Sequence, residues 1–539
     1  MNPSPCKTWQ RALALLLATS LALPAPLLHA QVRLPALGES VGDDFSIGTE
    51  RRLGEQIMRE IRRDPDYLDD PVLLEYLQSL WQPLVAAARV RGDVVPEIES
   101  QFAWEAFLVR DRSVNAFALP GGYVGVHLGL IAITSSRDEL ASVLAHELAH
   151  VTQRHIARSV VNSQRASLVG LAGLLLGVFA AARSGSADAA NAAIVGGQAV
   201  AAQGQLNFSR DMEREADRIG FGLLAQGEFV PSGMAAMFEK LDGASRLNDS
   251  NAFPYLRSHP LTIDRVSEAR SRMLQPASVA AKPPLRHTLM QARARVLMDG
   301  QVHALRRQQQ LLGAATATAG DLPARLGALY GGALASSLLG DHDQALSAVA
   351  QAQRLAQTAQ PREPQAERLL VLLQAQALQR RGDPAAALQA LDSPVAADGA
   401  RPIMLLRAQA LLDLQRQAGG RAAVDLRHST ETLQTWVAEH RQDAAAWELL
   451  SASADALGLR LRSLRAGAEA RAALGDINGA IDRLRSAQHS THGAAGQDFI
   501  EASVIDARLR QLQAQRRQLL ADSQRGNQRS RDDPDARPL

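Results

Sequence analysis

Cysteine is almost absent from this chain, since Cys6 is the only one among 539 residues. It lies before the first apolar run, in a stretch that we expect to be removed, so the rest of the chain has no thiol. This excludes disulfides and thiolate metal sites. Any bound metal must therefore be held by histidine and carboxylate side chains.

An excess of one charge is also missing. Lysine and arginine number 58, against 56 aspartates and glutamates, and the first thirty residues hold two basic and no acidic residues. Once that stretch is removed, the two signs balance. A balanced charge argues against a nucleic-acid partner.

Aromatic residues make up only 4% of the chain, whereas alanine, leucine, glutamine and arginine recur throughout. These are strong helix formers, so the composition favours helix over sheet. The length exceeds what one ordinary hydrophobic core serves, and two or more domains are expected. The sequence thus predicts a mainly α protein of several domains.

No apolar run is long enough to be a clear membrane span. Lys7 and Arg11 precede ALALLLATSLALPAPLL, whose prolines interrupt it before the roughly 18–20 residues that a span needs. A charged start, a short apolar run and a small residue at Ala30 are typical of a cleaved signal peptide. The alternative is an N-terminal membrane anchor. Export of a thiol-free helical chain indicates a bacterial periplasm.

Changes in composition divide the chain into five predicted segments. These are a signal peptide (1–30), a domain of mixed helix and strand (31–275), a proline-rich linker (276–286), helical repeats (287–520) and a disordered tail (521–539). Two further features lie in the mixed domain. Residues 116–134 alternate like strands around a turn at Pro120, and the apolar stretch 168–182 is a candidate lid.

The helical segment contains short sequence patterns that recur. Gly-Asp pairs begin at Gly340, Gly382 and Gly475, and each is followed by an Ala-Leu or Ala-Ile helix. This pattern resembles degenerate tetratricopeptide repeats, in which helix pairs stack into a solenoid with a concave binding face. The alternative is a helical domain without a repeat.

The motif His146-Glu147-Leu148-Ala149-His150 lies in a predicted helix over residues 136–155. Ser136 and Glu139 have capping-box spacing, and apolar residues recur at helical intervals. His146 and His150 share one face and can converge on a zinc ion. Glu147 points about 100° away around the helix, beside the ion but not on it, where a general base belongs.

The residues after the motif exclude one class of zinc peptidase. A metzincin needs a glycine three residues after the second histidine and another histidine three further on. Gln153 and Ile156 occupy those positions. His155 lies one position early and off the ligand face, so we interpret it as a helix-end residue.

The third ligand must then come from another element. The stretch 207–227 predicts a helix that Ser209 caps and Gly227 ends. Its acidic residues include Glu213 and Asp217, four apart on one face, and Glu215, which we interpret as a solvated residue near the helix start. On spacing alone, Glu213 and Asp217 both remain open as ligands.

Four motifs, NAFALPGG, HELAHVTQRH, EREADRIG and SHPLTIDR, occur in this order within residues 38–275. Together they resemble the gluzincin peptidases of the HtpX and Ste type. Within that group they are most similar to the periplasmic BepA-like proteases, which join such a domain to tetratricopeptide repeats. The resemblance implies an α+β zinc metallopeptidase domain with a small sheet, followed by an α-helical solenoid.

The resemblance also assigns residues. It implies that Glu213 is the third ligand of one zinc ion, and that Asp217 is a neighbouring group or proton donor. His259 is implied near the metal, as a transition-state stabiliser or as an extra ligand that blocks the resting site. Arg265 orients the site or forms a structural ion pair. Residues 114–122 are implied as an edge strand that pairs with an extended substrate.

A periplasmic zinc endopeptidase that cleaves misfolded or stalled envelope proteins is the function that the resemblance implies. Its repeats would contact the outer-membrane β-barrel assembly machinery, with peripheral membrane contact at most. The alternative is a chaperone or scaffold whose protease site is dormant, latched by His259. An integral-membrane protease is disfavoured because long apolar spans are missing.

Overall fold

The structure is a computed structural model. The residues that it describes are 45–162, 210–247, 253–272, 284–316, 321–418, 423–489 and 497–531. The predicted signal peptide, the candidate lid at 168–182 and residues 276–283 of the predicted linker lie outside them.

The first part of the chain combines helices with short strands. In chain order these elements are α1 (Ile47–Ile61), β1 (Tyr67–Leu68), α2 (Pro71–Arg91), α3 (Pro96–Glu99), β2 (Glu105–Val109), β3 (Ala116–Leu119), β4 (Tyr123–His127), α4 (Leu128–Ile133), α5 (Arg137–Thr152), α6 (His155–Asn162), α7 (Arg210–Gln226), α8 (Ser232–Leu247), α9 (Pro254–Ser258) and α10 (Ile263–Ser271).

The described part of the remaining chain is helical. Its helices are α11 (Leu285–Leu297), α12 (Val302–Thr316), α13 (Leu322–Leu339), α14 (His342–Ala356), α15 (Pro364–Arg380), α16 (Pro384–Leu391), α17 (Arg401–Ala418), α18 (Ala423–Glu439), α19 (Ala444–Ala456), α20 (Arg460–Ala473), α21 (Ile477–His489) and α22 (Gln497–Arg531). The predicted fold class, mainly α with a small sheet, is confirmed. Within the described ranges, no helix is long and apolar enough to cross a membrane.

The four strands form one sheet in the order β1-β2-β4-β3. The pair β2 and β4 is parallel, while β1 and β3 pair antiparallel to their neighbours. The strand β3 is therefore an edge strand, and its second edge lies beside α5. This places the predicted edge strand next to the helix that carries the two histidines.

The turn predicted at Pro120 joins β3 to β4. Gly121 and Gly122 have φ values of 78° and 87°, which residues with a Cβ rarely adopt. The strand pattern predicted over 116–134 ends earlier, because Leu128–Ile133 is the helix α4. Almost all of this run is buried, and a short buried apolar run fits a helix as well as a strand.

The helix α5 is the centre of the first half. The Ser136 hydroxyl accepts a hydrogen bond from the Glu139 N–H at 3.2 Å, and the Glu139 carboxylate accepts one from the Ser135 N–H at 2.6 Å. Every residue from Glu139 to Thr152 is buried, since α2, α7, α8 and β3 pack around the helix. Burial on all sides excludes bulk water from the histidine motif.

The turns predicted between the C-terminal helices are present. Gly340, Gly382 and Gly475 each follow a helix with φ between 81° and 85°, and the aspartate after each immediately precedes the next helix. Whether these pairs are tetratricopeptide repeats stays a prediction. The last helix reaches Arg531, into the stretch 521–539 that we predict to be disordered, and its polar sequence has good helix formers.

One hydrophobic core contains side chains from Leu68 in the first half to Ala410 in the second. The helix α11 contributes side chains to this core and is also joined to the first half by hydrogen bonds. Arg293 donates to both Asp70 oxygens at 2.7 Å, and Tyr76 hydrogen-bonds His287 at 2.6 Å. The helices after the predicted linker thus cover part of the core that supports α5. The boundary at 276–286 stays a prediction.

Candidate metal centre

Four buried side chains converge at the C-terminal half of α5. His146, His150, Glu213 and His259 each offer one ligand atom, and these atoms all lie within 4.8 Å of one another. Two come from α5, one from α7 and one from the residue that follows α9. The sequence places the third and fourth groups 63 or more residues away from the motif, so only the fold brings them together.

The Nε2 atoms of the two α5 histidines face each other at 3.0 Å. The Glu213 carboxylate approaches both, with one oxygen 3.5 Å from His146 Nε2 and the other 3.4 Å from His150 Nε2. Both imidazoles therefore present the same nitrogen to one carboxylate. This is the arrangement in which two imidazoles and an oxygen ligand share one cation.

Glu213 reaches this position because α7 crosses α5 closely at Gly220. A Cβ atom there would lie 3.2 Å from the His146 backbone nitrogen, so glycine permits the close approach. The helix α7 begins at Arg210 and ends at Gln226, in agreement with the predicted helix, whereas the predicted cap Ser209 lies outside the described residues.

Glu147 lies beside the cluster and outside the set of converging ligand atoms. Its Oε2 accepts a hydrogen bond from the Ala118 N–H of β3 at 3.0 Å, and its Oε1 is 3.5 Å from His259 Nε2. The carboxylate is fully buried, and burial raises its pKa above the ordinary value. A base with a raised pKa holds an abstracted proton more readily.

Asp217 and Arg265 support His146 from behind. The Nδ1 of His146 lies 2.9 Å from Asp217 Oδ1, and the Arg265 guanidinium donates to both Asp217 oxygens at 2.7 and 2.8 Å. Arg265 Nη1 is also 2.9 Å from Glu213 Oε2. Asp217 is therefore a neighbour of the histidine and not one of the four converging groups, and Arg265 orients both carboxylates.

His150 is supported differently. Its Nδ1 lies 2.8 Å from His155 Nδ1, and His155 Nε2 lies 3.1 Å from Glu215 Oε2. Arg158 donates to the same Glu215 oxygen at 2.8 Å. The interpretation of Glu215 as a solvated residue is corrected, because its side chain is only 17% exposed and is paired on two sides.

The motif predicts His155 at the end of α5, whereas it is the first residue of α6, outside the ligand cluster and in contact with His150. The predicted helix runs to residue 155, whereas α5 ends at Thr152 and Arg154 has a φ of 51°. Arg154 is held there by Glu50 at 2.8 Å and by the Phe45 carbonyl at 2.8 Å. The bend turns His155 back toward His150, which helical spacing alone does not predict.

His259 enters the cluster from a loop anchored beside the edge strand. Its Nδ1 is 3.0 Å from Glu213 Oε1 and 3.3 Å from His146 Nε2. The Tyr255 ring stacks on it at 4.7 Å, and the Tyr255 N–H donates to the Val114 carbonyl at 3.4 Å. These contacts and an exposure of only 2% place the His259 imidazole inside the cluster, in agreement with its implied position near the metal.

The charges of the cluster suit a cation. Burial raises the pKa of Glu213, but the His259 and His146 imidazoles outweigh burial and hold this pKa far below its ordinary value. Burial likewise lowers the pKa of His146, and hydrogen bonds with Asp217 and Glu213 reverse this and raise the pKa to about 9. An ionised carboxylate among imidazoles is a donor set for a divalent metal such as zinc.

Comparisons with known proteins agree with this geometry. The model of peptidase family M48 matches residues 75–273, which include the four converging residues as well as Glu147, Asp217 and Arg265. The chain is 38% identical over 252 residues to the beta-barrel assembly-enhancing protease of Yersinia pestis, a match that covers 46% of this chain and 49% of the relative.

Two further relatives extend the comparison. The beta-barrel assembly-enhancing protease of Escherichia coli K12 is 36% identical over 242 residues, covering 45% of this chain and 47% of that protein. The mitochondrial metalloendopeptidase OMA1 of Schizosaccharomyces pombe is 29% identical over 241 residues, covering 42% and 61%. The matched region thus spans about half the length of the bacterial relatives.

Proposed function

Because residues 75–273 form a domain of peptidase family M48, we propose that this chain is a zinc-dependent endopeptidase of the bacterial periplasm. The observation that carries the proposal is the convergence of His146, His150 and Glu213 from two helices, with Glu147 beside them. A purely structural metal site would not need a general base at the position of Glu147.

The donor set fits zinc. His146, His150 and Glu213 would hold the ion through two imidazole nitrogens and one carboxylate, and the chain outside the predicted signal peptide has no thiol to compete. When bound, the ion supplies the Lewis acidity that makes water acidic and a peptide carbonyl electrophilic.

Glu147 is the proposed general base. It takes a proton from the attacking water and delivers it to the leaving amine, so that the peptide bond breaks and water is added across it. Its hydrogen bond to the Ala118 N–H holds one oxygen in place and leaves the other directed toward the cluster. Burial excludes other water from the carboxylate.

The edge strand β3 is the proposed substrate platform. An extended peptide that pairs with residues 116–119 lies across the cluster, because Ala118 contacts Glu147. Only an unfolded or locally extended segment can add as a strand. This restricts cleavage to exposed segments of misfolded or stalled proteins.

The proposed substrates are envelope and outer-membrane proteins. Both of the bacterial relatives described above carry the name beta-barrel assembly-enhancing protease. By analogy, the helices after α11 would bind the β-barrel assembly machinery of the outer membrane, and a cleaved signal peptide would export the chain. Contact with the membrane is then peripheral.

A second candidate function is favoured by the position of His259. Its Nδ1 lies among the other three ligand atoms, 3.0 Å from Glu213 Oε1, where a fourth metal ligand would lie. With this imidazole as a latch, the site is closed to substrate, and the chain works as a chaperone or scaffold until the latch opens. The presence of Glu147 beside the cluster favours a site that opens.

The experiment that tests the peptidase compares the purified chain with Glu147→Gln, measuring casein cleavage and bound zinc. Loss of the general base should lower the cleavage rate by a factor of about 10² to 10⁴, while bound zinc stays at the level of the unchanged chain. Glu60→Gln, which removes a carboxylate that is 52% exposed, is the matched control and should cleave normally. Unchanged cleavage by Glu147→Gln would contradict the assignment.

A further inference from the structure

Behind His150 lies a row of hydrogen-bonded side chains that the proposed peptidase mechanism does not use. It runs from His150 Nδ1 to His155 Nδ1 at 2.8 Å, from His155 Nε2 to Glu215 at 3.1 Å, and from Glu215 to Arg158 at 2.8 Å. His155 and Arg158 are in α6 and Glu215 is in α7, so both helices contribute to this row. His155 is fully buried.

The ion pair between Glu215 and Arg158 determines the hydrogen-bond directions along this row. Glu215 is paired with the Arg158 guanidinium, and an ionised carboxylate only accepts hydrogen bonds. His155 Nε2 must therefore donate to it. In a neutral imidazole the second nitrogen is then an acceptor, so His155 Nδ1 accepts from His150 Nδ1.

This order leaves the lone pair of His150 on Nε2, the nitrogen 3.4 Å from Glu213 Oε1. The opposite tautomer would place a hydrogen there, where a cation must bind. The two imidazole rings cross nearly at right angles, at 76° with centroids 4.8 Å apart, so the contact also restricts rotation of the His150 ring.

We propose that His155 and Glu215 are positioning residues that select the tautomer and ring orientation with which His150 binds the metal. The inference rests on the proposed function and deepens it. The two ligand histidines are thereby held in different ways. His146 faces the Asp217 carboxylate directly, whereas a neutral imidazole separates His150 from Glu215.

The experiment measures zinc affinity of the metal-free chain by competition with a chelator, without any peptidase assay. His155→Phe keeps a ring but removes the acceptor, and should weaken zinc binding by a factor of about 10 to 100. His155→Gln restores a carbonyl acceptor and should recover most of the affinity. Equal losses in the two variants would overturn the proposal, because packing alone would then explain them.

A second pair of variants keeps the proposal testable if the buried position does not accept a substitution. Glu215→Ala removes the carboxylate that orients His155 and should weaken zinc binding by about tenfold. Asp211→Ala removes an acidic residue from the first turn of the same helix whose side chain is 87% exposed, and should leave affinity unchanged. Unchanged affinity in Glu215→Ala, or an equal loss in both variants, would overturn the proposal.

The outcome for the unchanged chain separates this inference from the proposed function. If it binds no zinc, both are overturned. If it binds zinc and all four variants bind equally well, the positioning role is overturned and the zinc site stands.

Discussion

At the scale of single residues, the proposed latch depends on the contacts of His259 and Glu147. Glu147 contacts the edge strand through one oxygen, and its other oxygen is 3.5 Å from His259 Nε2. His259 also contacts Glu213, so one imidazole touches both the proposed base and a proposed ligand. Movement of the loop after α9 would free both groups at once.

His259→Ala should therefore raise the basal rate of peptide cleavage by about fivefold or more, since it removes the imidazole that contacts both Glu147 and Glu213. Zinc should remain bound, because His146, His150 and Glu213 suffice to hold it. The measurement is cleavage of a short fluorogenic peptide together with metal content. His303→Ala, at an exposed position on α12, is the control. An unchanged cleavage rate with unchanged zinc affinity would contradict the role of His259 as a latch.

At the scale of elements, the position of β3 depends on the helix α1. A Cβ added at Gly54 would lie 1.9 Å from the Pro120 carbonyl oxygen, in the turn that ends β3. The turn contains Gly121 and Gly122, whose positive φ values residues with a Cβ rarely adopt. The α1 helix thus sets where the proposed substrate strand lies relative to α5.

Gly54→Ala should destabilise the fold by about 1 to 3 kcal/mol, because the added methyl overpacks against backbone that cannot move aside. Urea unfolding measures this loss. Gly48→Ala, on the same helix, is the matched control, since its nearest neighbour atoms are 3.6 and 3.7 Å away. It should keep or slightly raise stability. Equal stability of the two variants would contradict the close contact.

At the scale of the whole molecule, arginines from three C-terminal helices bind one acidic region at the start of α2. Arg293 pairs with Asp70, Arg368 with Glu75 and Arg401 with Asp69. Arg401 also pairs with Asp443 at 2.7 Å, which links α17 to the cap of α19. These ion pairs attach the C-terminal helices to the element that packs against α5.

Arg401→Gln should lower stability at pH 7 by about 2 to 3 kcal/mol, because it leaves the largely buried Asp443 without its cation. Burial raises the pKa of Asp443, but the hydrogen bond and charge of Arg401 outweigh it and lower the pKa. The stabilisation is then present above the unfolded pKa of about 3.9 and is lost as the pH falls through the lower folded value.

Urea unfolding between pH 7 and pH 3 measures this dependence, and the difference between the unchanged chain and Arg401→Gln should shrink at the acid end. Arg407→Gln, on the same helix, is the control because Arg407 and its partner Asp392 are 38% and 66% exposed. It should cost less than about 1 kcal/mol. A difference for Arg401→Gln that stays constant with pH would contradict the ion pair.

Local sequence patterns were sufficient to predict much of this fold. Periodicity and capping predicted α5 and α7 to within three residues at each end that the structure describes, because a helix is specified by neighbours in sequence. Patterns were insufficient at Leu128–Ile133, where a buried apolar run has no face exposed to water that would distinguish helix from strand. They were also insufficient at Arg154, where contacts with Glu50 and Phe45 end a helix that spacing would continue.

The sequence by itself determined the donor chemistry of the centre: with no thiol outside the first thirty residues, two histidines four apart on a helix and a glutamate between them need only one more acidic ligand. Spacing along the chain left Glu213 and Asp217 both open as that ligand, and the tertiary structure shows which group each acidic residue faces. Glu213 faces the histidines because α7 crosses α5 at Gly220, while Glu215, two residues later, points to His155 on another helix. Such roles depend on where separate helices cross, and spacing along one chain contains no information about that crossing.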